Sequence, residues 1–237
     1  MSLKYIQVII LVSVFTLQYF FEHIYPQQKN INSWKNERFN IAVGLINMAI
    51  TFLPAYFFVQ FIFYIQTKNL GLLNLIHLPL WLKIIISIFL LDVWMYTWHR
   101  LNHRMPWLWK FHSFHHKDEK MNSTTALRFH IVELLFSYPP KALVCLVFGI
   151  SYIPLLTYEI LFSINVIFHH SNMNISQRAD NMYRIFFASP LMHRIHHSKK
   201  IEETNSNFGA VFSFWDFFFK SKKNKPSGKI EFGIFTE

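Results

Sequence analysis

The sequence predicts an all-α integral-membrane helical bundle of about four to five spans, capped on one side by a cytoplasmic, histidine-rich helical layer. Three observations predict it. The composition is 52% apolar and 19% aromatic with only 15% charged residues, which is too apolar for an ordinary soluble domain. Apolar runs of about 18 to 25 residues recur over the first two thirds of the chain, each long enough to cross a hydrocarbon core. Histidines gather just beyond the ends of those runs, where a membrane protein meets water.

Residues 3–21, LKYIQVIILVSVFTLQYFF, make the first run, roughly 28 Å as a helix. The run ends in Tyr19-Phe20-Phe21-Glu22 with no small-residue cleavage site, so it reads as a retained span rather than a signal peptide. Residues 22–40 form a polar connection. The second span covers 41–65, with Pro54 inside it as an expected kink, and the third covers 80–98. Residues 132–168 carry Pro139-Pro140 early and a break from Gly149 to Pro154, the pattern of two helices in a hairpin that crosses and returns.

Five spans put the segments 22–40, 99–131 and 169–237 on one face. Lys4, Lys68 and Lys83 fall on or near the other, and the resulting excess of basic residues on the first face marks it as cytoplasmic. No Gly/Ser-rich or Pro-rich linker divides the chain, so 1–237 is expected to be a single membrane-embedded domain. Within it, 1–91 supply N-terminal spans, 92–219 carry the chemistry, and 220–237 form a basic tail drawn to anionic lipid.

Composition excludes several classes. A single cysteine, Cys145, leaves neither a disulfide framework nor a cysteine-ligated metal site, so any metal is held by nitrogen and oxygen. The formal charge of +10 flanks apolar segments instead of lining a face with stacking aromatics, which argues for a lipid surface and against nucleic acid. No HExxH helix is present, so a zinc-protease reading fails. A transporter would want its histidines mid-span, not at span ends.

The chemistry is read from the stretch DVWMYTWHRLNHRMPWLWKFHSFHH, residues 92–116. His99 and His103 are four apart and share one helix face, where two imidazoles can grip one metal. Asp92 and Tyr96 lie on the same stripe, which makes Asp92 a candidate to orient a ligand. Pro106 interrupts the helix, and His112, His115 and His116 follow in an HxxHH pattern that recurs at His193, His196 and His197. With 13 histidines in 237 residues, a shuffled chain would show about 0.04 such matches. His130 is a further ligand candidate, and Glu133, a carboxylate at the mouth of an apolar helix, is a functional candidate with His130 or Arg128 as its expected partner. The returning helix delivers His169 and His170 to the same side. His23 and His77 are isolated and read as interfacial, and Glu159 as a bundle-internal hydrogen-bonding group.

Ten imidazoles are too many for one ion and about right for two. Neutral imidazole suits iron and zinc alike, but breaking an unactivated C–H bond of a lipid needs O2 and a redox metal. At these residues the sequence resembles the fatty acid hydroxylase and sterol desaturase superfamily of integral-membrane non-haem di-iron oxygenases. The resemblance runs from about Asp92 to Phe219. It rests on His99-Arg100-Leu101-Asn102-His103, Trp109 to His116, Arg128-Phe129-His130 with Glu133, and His170-Ser171-Asn172. It continues through Pro190 with His193-Arg194-Ile195-His196-His197-Ser198, then Asn207-Phe208-Gly209 and Trp215-Asp216. The chain departs from the pattern at Ile131 and at Phe218-Phe219-Lys220, and neither departure removes a ligand.

The resemblance implies two Fe ions as cofactors, O2 as co-substrate and an external electron donor, a separate electron-transfer protein since no haem-binding domain is visible. It implies a lipid partner within the membrane, hydroxylated or desaturated as product. The expected metal ligands are His99, His103, His112, His115, His116, His130, His170, His193, His196 and His197. His170 is preferred to His169 because His-Ser-Asn is the family-like triplet. Asp92 and Glu133 are the expected catalytic-site carboxylates, with Asp216 as a further supporting acid. The competing expectation is a non-catalytic or zinc-binding membrane protein that retains the fold.

Overall fold

The computed structural model describes residues 3–29 and 33–234. The middle of the 22–40 connection and the end of the basic tail therefore lie outside the described residues. Ten α-helices follow in order: α1 (Leu3–Ile24), α2 (Trp34–Thr67), α3 (Leu80–Arg104), α4 (Pro106–His116), α5 (Ile131–Phe148), α6 (Tyr152–His170), α7 (Gln177–Tyr183), α8 (Pro190–His196), α9 (Ile201–Thr204) and α10 (Phe214–Phe218). Short 3₁₀ turns span Leu72–Asn74 and Ser123–Leu127. Among the described residues only isolated β-bridges occur.

Helices α1, α2, α3, α5 and α6 are long and apolar enough to cross a membrane. Their outward faces carry Val12, Leu17, Leu45, Phe52 and Leu143, each more than half exposed, which is costly in water and natural in lipid. Helix α2 begins at Trp34, well before position 41 where its apolar run starts. Its first two turns face inward through Glu37 and Asn40, which the polar composition of that stretch concealed. The helix continues through Pro54, and α5 continues through Pro139 and Pro140.

Helix α3 packs on α6, α2 on α5 and α1 on α6, while the Ser123–Leu127 turn wedges between α1, α2 and α6. The apolar centre sits between α2, α3, α5 and α6, around Ile62, Ile65, Leu91, Cys145 and Tyr158. At the end remote from the histidines, the turn after α2 meets the turn after α5 backbone to backbone. A Cβ on Gly71 (φ +89°) would lie 2.1 Å from the Gly149 amide nitrogen, and one on Gly149 (φ +72°) 2.4 Å from the Leu70 carbonyl. Asn74 ties the two turns by donating to the carbonyls of Leu70 and Gly149.

The histidine end is fastened by buried carboxylates. Glu22, at the last turn of α1, accepts from the amides of Ser123 and Asn172, which fixes α1, the Ser123–Leu127 turn and the α6 terminus at one level. Glu37 accepts from Tyr19 and Asn122, and Asp118 from Asn36, Asn40 and Thr125. Each charge is wrapped by donors, the condition under which a carboxylate tolerates burial. His23 stays exposed beside Glu37 and His77 is exposed at the remote end, as expected for interfacial residues. Glu159 pairs with Lys141 across α5 and α6.

Candidate metal centre

The last turn of α3, the length of α4, the end of α6 and the whole of α8 converge at one place. They bring nine histidines into two groups. His99, His103, His112, His116 and His196 form one, and His115, His170, His193 and His197 the other; within each group the ligand nitrogens all lie within 4.8 Å of one another. The two groups abut, with His116 and His197 stacked at 4.3 Å between ring centroids and 17° between planes.

Local sequence explains the convergence. Met105 adopts an extended conformation and Pro106 opens α4 at its first position, where a missing N–H costs nothing, so the chain turns sharply between His103 and His112. Ser189 caps α8 by accepting from the Met192 amide, with Pro190 again at the first helical position. Along α4 and α8 the HxxHH spacing of three and four residues puts successive imidazoles on one face. Neighbouring members then go to different groups: His112 and His116 to the first and His115 to the second, His196 to the first and His193 and His197 to the second.

The outer nitrogens are fixed by hydrogen bonds. Nδ1 lies 2.9 Å from the Phe208 carbonyl in His99, 3.1 Å from that of Arg128 in His115, 2.7 Å from that of Val166 in His170 and 2.7 Å from that of Ser206 in His196. A carbonyl only accepts, so each Nδ1 carries the proton and each Nε2 of the neutral ring is a bare lone pair. His112 Nδ1 donates to Glu133 Oε1 at 2.8 Å. On the inner side, Nε2 of His103, His112, His116, His196 and His197 is buried with no hydrogen-bond partner among the described residues. His170 Nε2 faces His115 Nε2 at 3.0 Å.

Converging bare lone pairs repel, and a cation between them removes the conflict. A proton would serve, but burial and the neighbouring imidazoles hold His115, His116, His193 and His197 well below the ordinary histidine range, and His196 down to about 3. A divalent metal fits better: cis nitrogens about 2.1 Å from a common ion lie roughly 3.0 Å apart. The donor set is all imidazole, which suits iron and zinc.

The predicted residues fare differently. Nine of the expected ligands stand in the two groups. His130 stands outside both, with its Nδ1 accepting from the Val132 amide as the cap of α5, a role that its place just before the helix explains. His169 also lies outside them; its ring is 3.8 Å from that of His193 between centroids, tilted by 33°, and it borders the cavity described below. Glu133 is at the site, but its partners are His112 and Asn102 rather than His130 or Arg128.

Asp92 stands outside both histidine groups. Its carboxylate receives Tyr158 Oη, the amides of Val211 and Phe212, and Trp215 Nε1, all within 3.1 Å, so it anchors the loop before α10 onto α3 and α6. It shares the helical stripe of His99 and His103 but lies two turns below His99 on α3. Asp216 acts through the backbone: it accepts from the amides of Phe208 and Gly209, and the Phe208 carbonyl in turn holds His99. Individual sequence signals did not mark Asn102, nor Phe208 as the ring packed against His99, His103 and His196.

A narrow apolar cavity of about 70 Å³ opens beside the histidines. Met95, Trp98, Phe129, Phe162 and Val166 wall it, and it touches both groups through His99 and His112 on one side and His115, His170 and His193 on the other. Met95 lies one turn below His99 on α3, so the cavity descends from the clustered histidines into the membrane-spanning bundle.

A family model for fatty acid hydroxylases matches residues 84–221, more than half of the chain. The chain belongs to the fatty acid hydroxylase family. All nine clustered histidines fall inside the matched region. Relatives of this family member include ornithine lipid hydroxylase OlsE of Rhizobium tropici, 26% identical over 62% of this chain and 44% of the relative. Human alkylglycerol monooxygenase is 28% identical over 60% of this chain and 31% of the relative, and human cholesterol 25-hydroxylase 24% identical over 61% and 51%. The hydroxylase-family chain thus spans about half or less of the length of these relatives. No solved structure matches it. Family membership and the five apolar helices together make it an integral membrane protein.

Proposed function

We propose that the protein oxidises a lipid with O2, by hydroxylation or desaturation, at two iron ions held by the nine clustered histidines. The observation that carries this reading is the apolar cavity that touches both groups, because it seats a hydrocarbon chain against the nitrogens that would hold the metal. The ions would supply the redox chemistry for a C–H bond, which zinc does not offer. Balance requires that C–H, O2, two electrons and two protons give C–OH and water, or that a saturated carbon pair gives an alkene and two waters.

The protein's own contribution is positional. Backbone carbonyls and Glu133 hold the imidazoles of His99, His112, His115, His170 and His196 in the tautomer that presents Nε2 inward, and the walls of α3 and α6 exclude water from the reacting chain. The electrons would come from a separate protein. A second, more polar opening, which shares no lining residue with the apolar cavity, reaches His103 and Trp109 beside Lys199 and Thr204 and supports delivery from the cap. The basic bias of that side supports a cytoplasmic orientation. The hydroxylase and monooxygenase relatives support the reaction class.

The test is metal analysis of purified protein with lipid-dependent O2 uptake, paired with lipid profiling of a deletion strain. About two irons per chain, O2 uptake that depends on lipid and a missing oxidised lipid are the expected results. Zinc alone with no turnover after iron reconstitution would place the protein among metal-binding relatives without activity.

A further inference from the structure

Two of the residues that line the apolar cavity each keep a buried oxygen with no hydrogen-bond partner among the described residues: Asn102 Oδ1 and Glu133 Oε2. Asn102 is 1% exposed and Glu133 5%. Their orientations are fixed. His112 Nδ1 donates to Glu133 Oε1 at 2.8 Å and Asn102 Nδ2 to the same oxygen at 3.3 Å, so turning the amide over would set its oxygen against the carboxylate. Both acceptors are thereby left without a donor, on residues that line the cavity together with His112. An acceptor buried without a donor loses its hydration with nothing in return.

We propose that Asn102 and Glu133 form an acceptor site for a hydrogen-bond donor carried by the substrate. The substrate class is then a lipid whose chain bears an N–H or O–H close to the carbon that meets the histidines, in preference to a plain hydrocarbon, ester or ether. The inference rests on the reading of the cavity as a lipid-oxidation site. It adds that a polar contact selects which lipid enters and in what register, since a donor locked on this pair fixes the distance from itself to the reacting carbon.

Equilibrium binding tests it without turnover. Metal-loaded, detergent-solubilised full-length protein is titrated anaerobically by calorimetry with two matched pairs of equal chain length: an N-alkyl amide against its ester, and an alcohol against its methyl ether. The wild type is expected to bind the donor member of at least one pair about tenfold more tightly or better, the amide and alcohol arms separating N–H from O–H recognition. Asn102→Leu removes one acceptor and shrinks the ratio. Glu133→Gln must keep an oxygen opposite the His112 and Asn102 donors, which turns its NH₂ into the cavity and reverses the preference toward the ester or ether.

Equal binding of both members of both pairs by the wild type would overturn the proposal whether or not the variants fold. An unreversed preference in folded Glu133→Gln would do so too. Failure to bind any of the four compounds would sink both this inference and the lipid-oxidation reading. A donor preference without oxidation once O2 and reductant are supplied upholds the site and sinks only the reaction.

Discussion

His115 Nε2 and His170 Nε2 face each other at 3.0 Å although both rings have given their Nδ1 protons to backbone carbonyls. Two lone pairs so placed could share one ion, whereas His99 belongs with the neighbouring group. His170→Ala is therefore expected to lower bound metal by about one of two ions per chain, and His99→Ala to remove the other; the double variant binds none. Elemental analysis of purified protein reads this directly. Loss of all metal in either single variant would show one shared site instead of two.

Asp92 supplies a contrast. It is fully buried and receives four donors from α6 and the segment around α10, yet it contacts no clustered histidine among those bonds. Replacement by Ala strands those donors, at a cost on the order of 4 kcal/mol. The expected outcome is a melting temperature lower by about 10 °C, with metal content per folded chain unchanged. Normal stability with lost metal would restore it to the site.

The difference between Asp92 and the histidines shows what the sequence made legible. Spacing of three and four residues along α4 and α8 survives as geometry because a helix face is a local property, and six of the nine clustered histidines followed from it, with His99 and His103 from the four-residue spacing on α3. The five spans followed likewise from run length. His130, Glu133 and Asp92 depended on which element lies opposite, which periodicity does not encode. Glu133 met His112 through the packing of α5 against α4, His130 turned to cap its own helix, and Asp92 found the amides of Val211 and Phe212 from 119 and 120 residues away. The inward face at the start of α2 was hidden for the same reason: Glu37 and Asn40 are polar, and only the partners Tyr19, Asn122 and Asp118 make them interior residues.

Gly71 and Gly149 test the remote end of the bundle. Both have positive φ, and a Cβ on either would meet backbone of the other turn, which no rotamer change relieves. Gly71→Ala and Gly149→Ala are each expected to lower the melting temperature by about 10 °C or to block folding. Gly228→Ala also has positive φ, but its nearest neighbour is the tip of Lys200 at 3.5 Å. It is the control, expected to shift melting by a few degrees at most. Equal behaviour of all three would show that the close turn-to-turn contact does not carry stability.

The buried imidazoles set the pH response of the metal-free protein. Burial first, and neighbouring histidines second, keep His115, His116 and His197 well below their ordinary range, and burial holds His196 down to about 3 against the pull of its bond to Ser206. In the unfolded chain the same groups titrate near 6.5, so between about pH 3 and 6.5 the unfolded state binds protons that the folded state refuses. Stability contributed by these groups is complete above about 6.5 and is lost as pH falls. The melting temperature of metal-free protein is expected to be level above neutrality and to drop steeply below about pH 6.5, with more than one proton taken up on unfolding. Bound metal occupies the same lone pairs and competes with those protons, so the loaded protein should begin its fall at a lower pH. A metal-free melting temperature that rises between pH 6.5 and 5 would mean that these rings accept protons in the folded state, and the argument for a metal between them would fail with it.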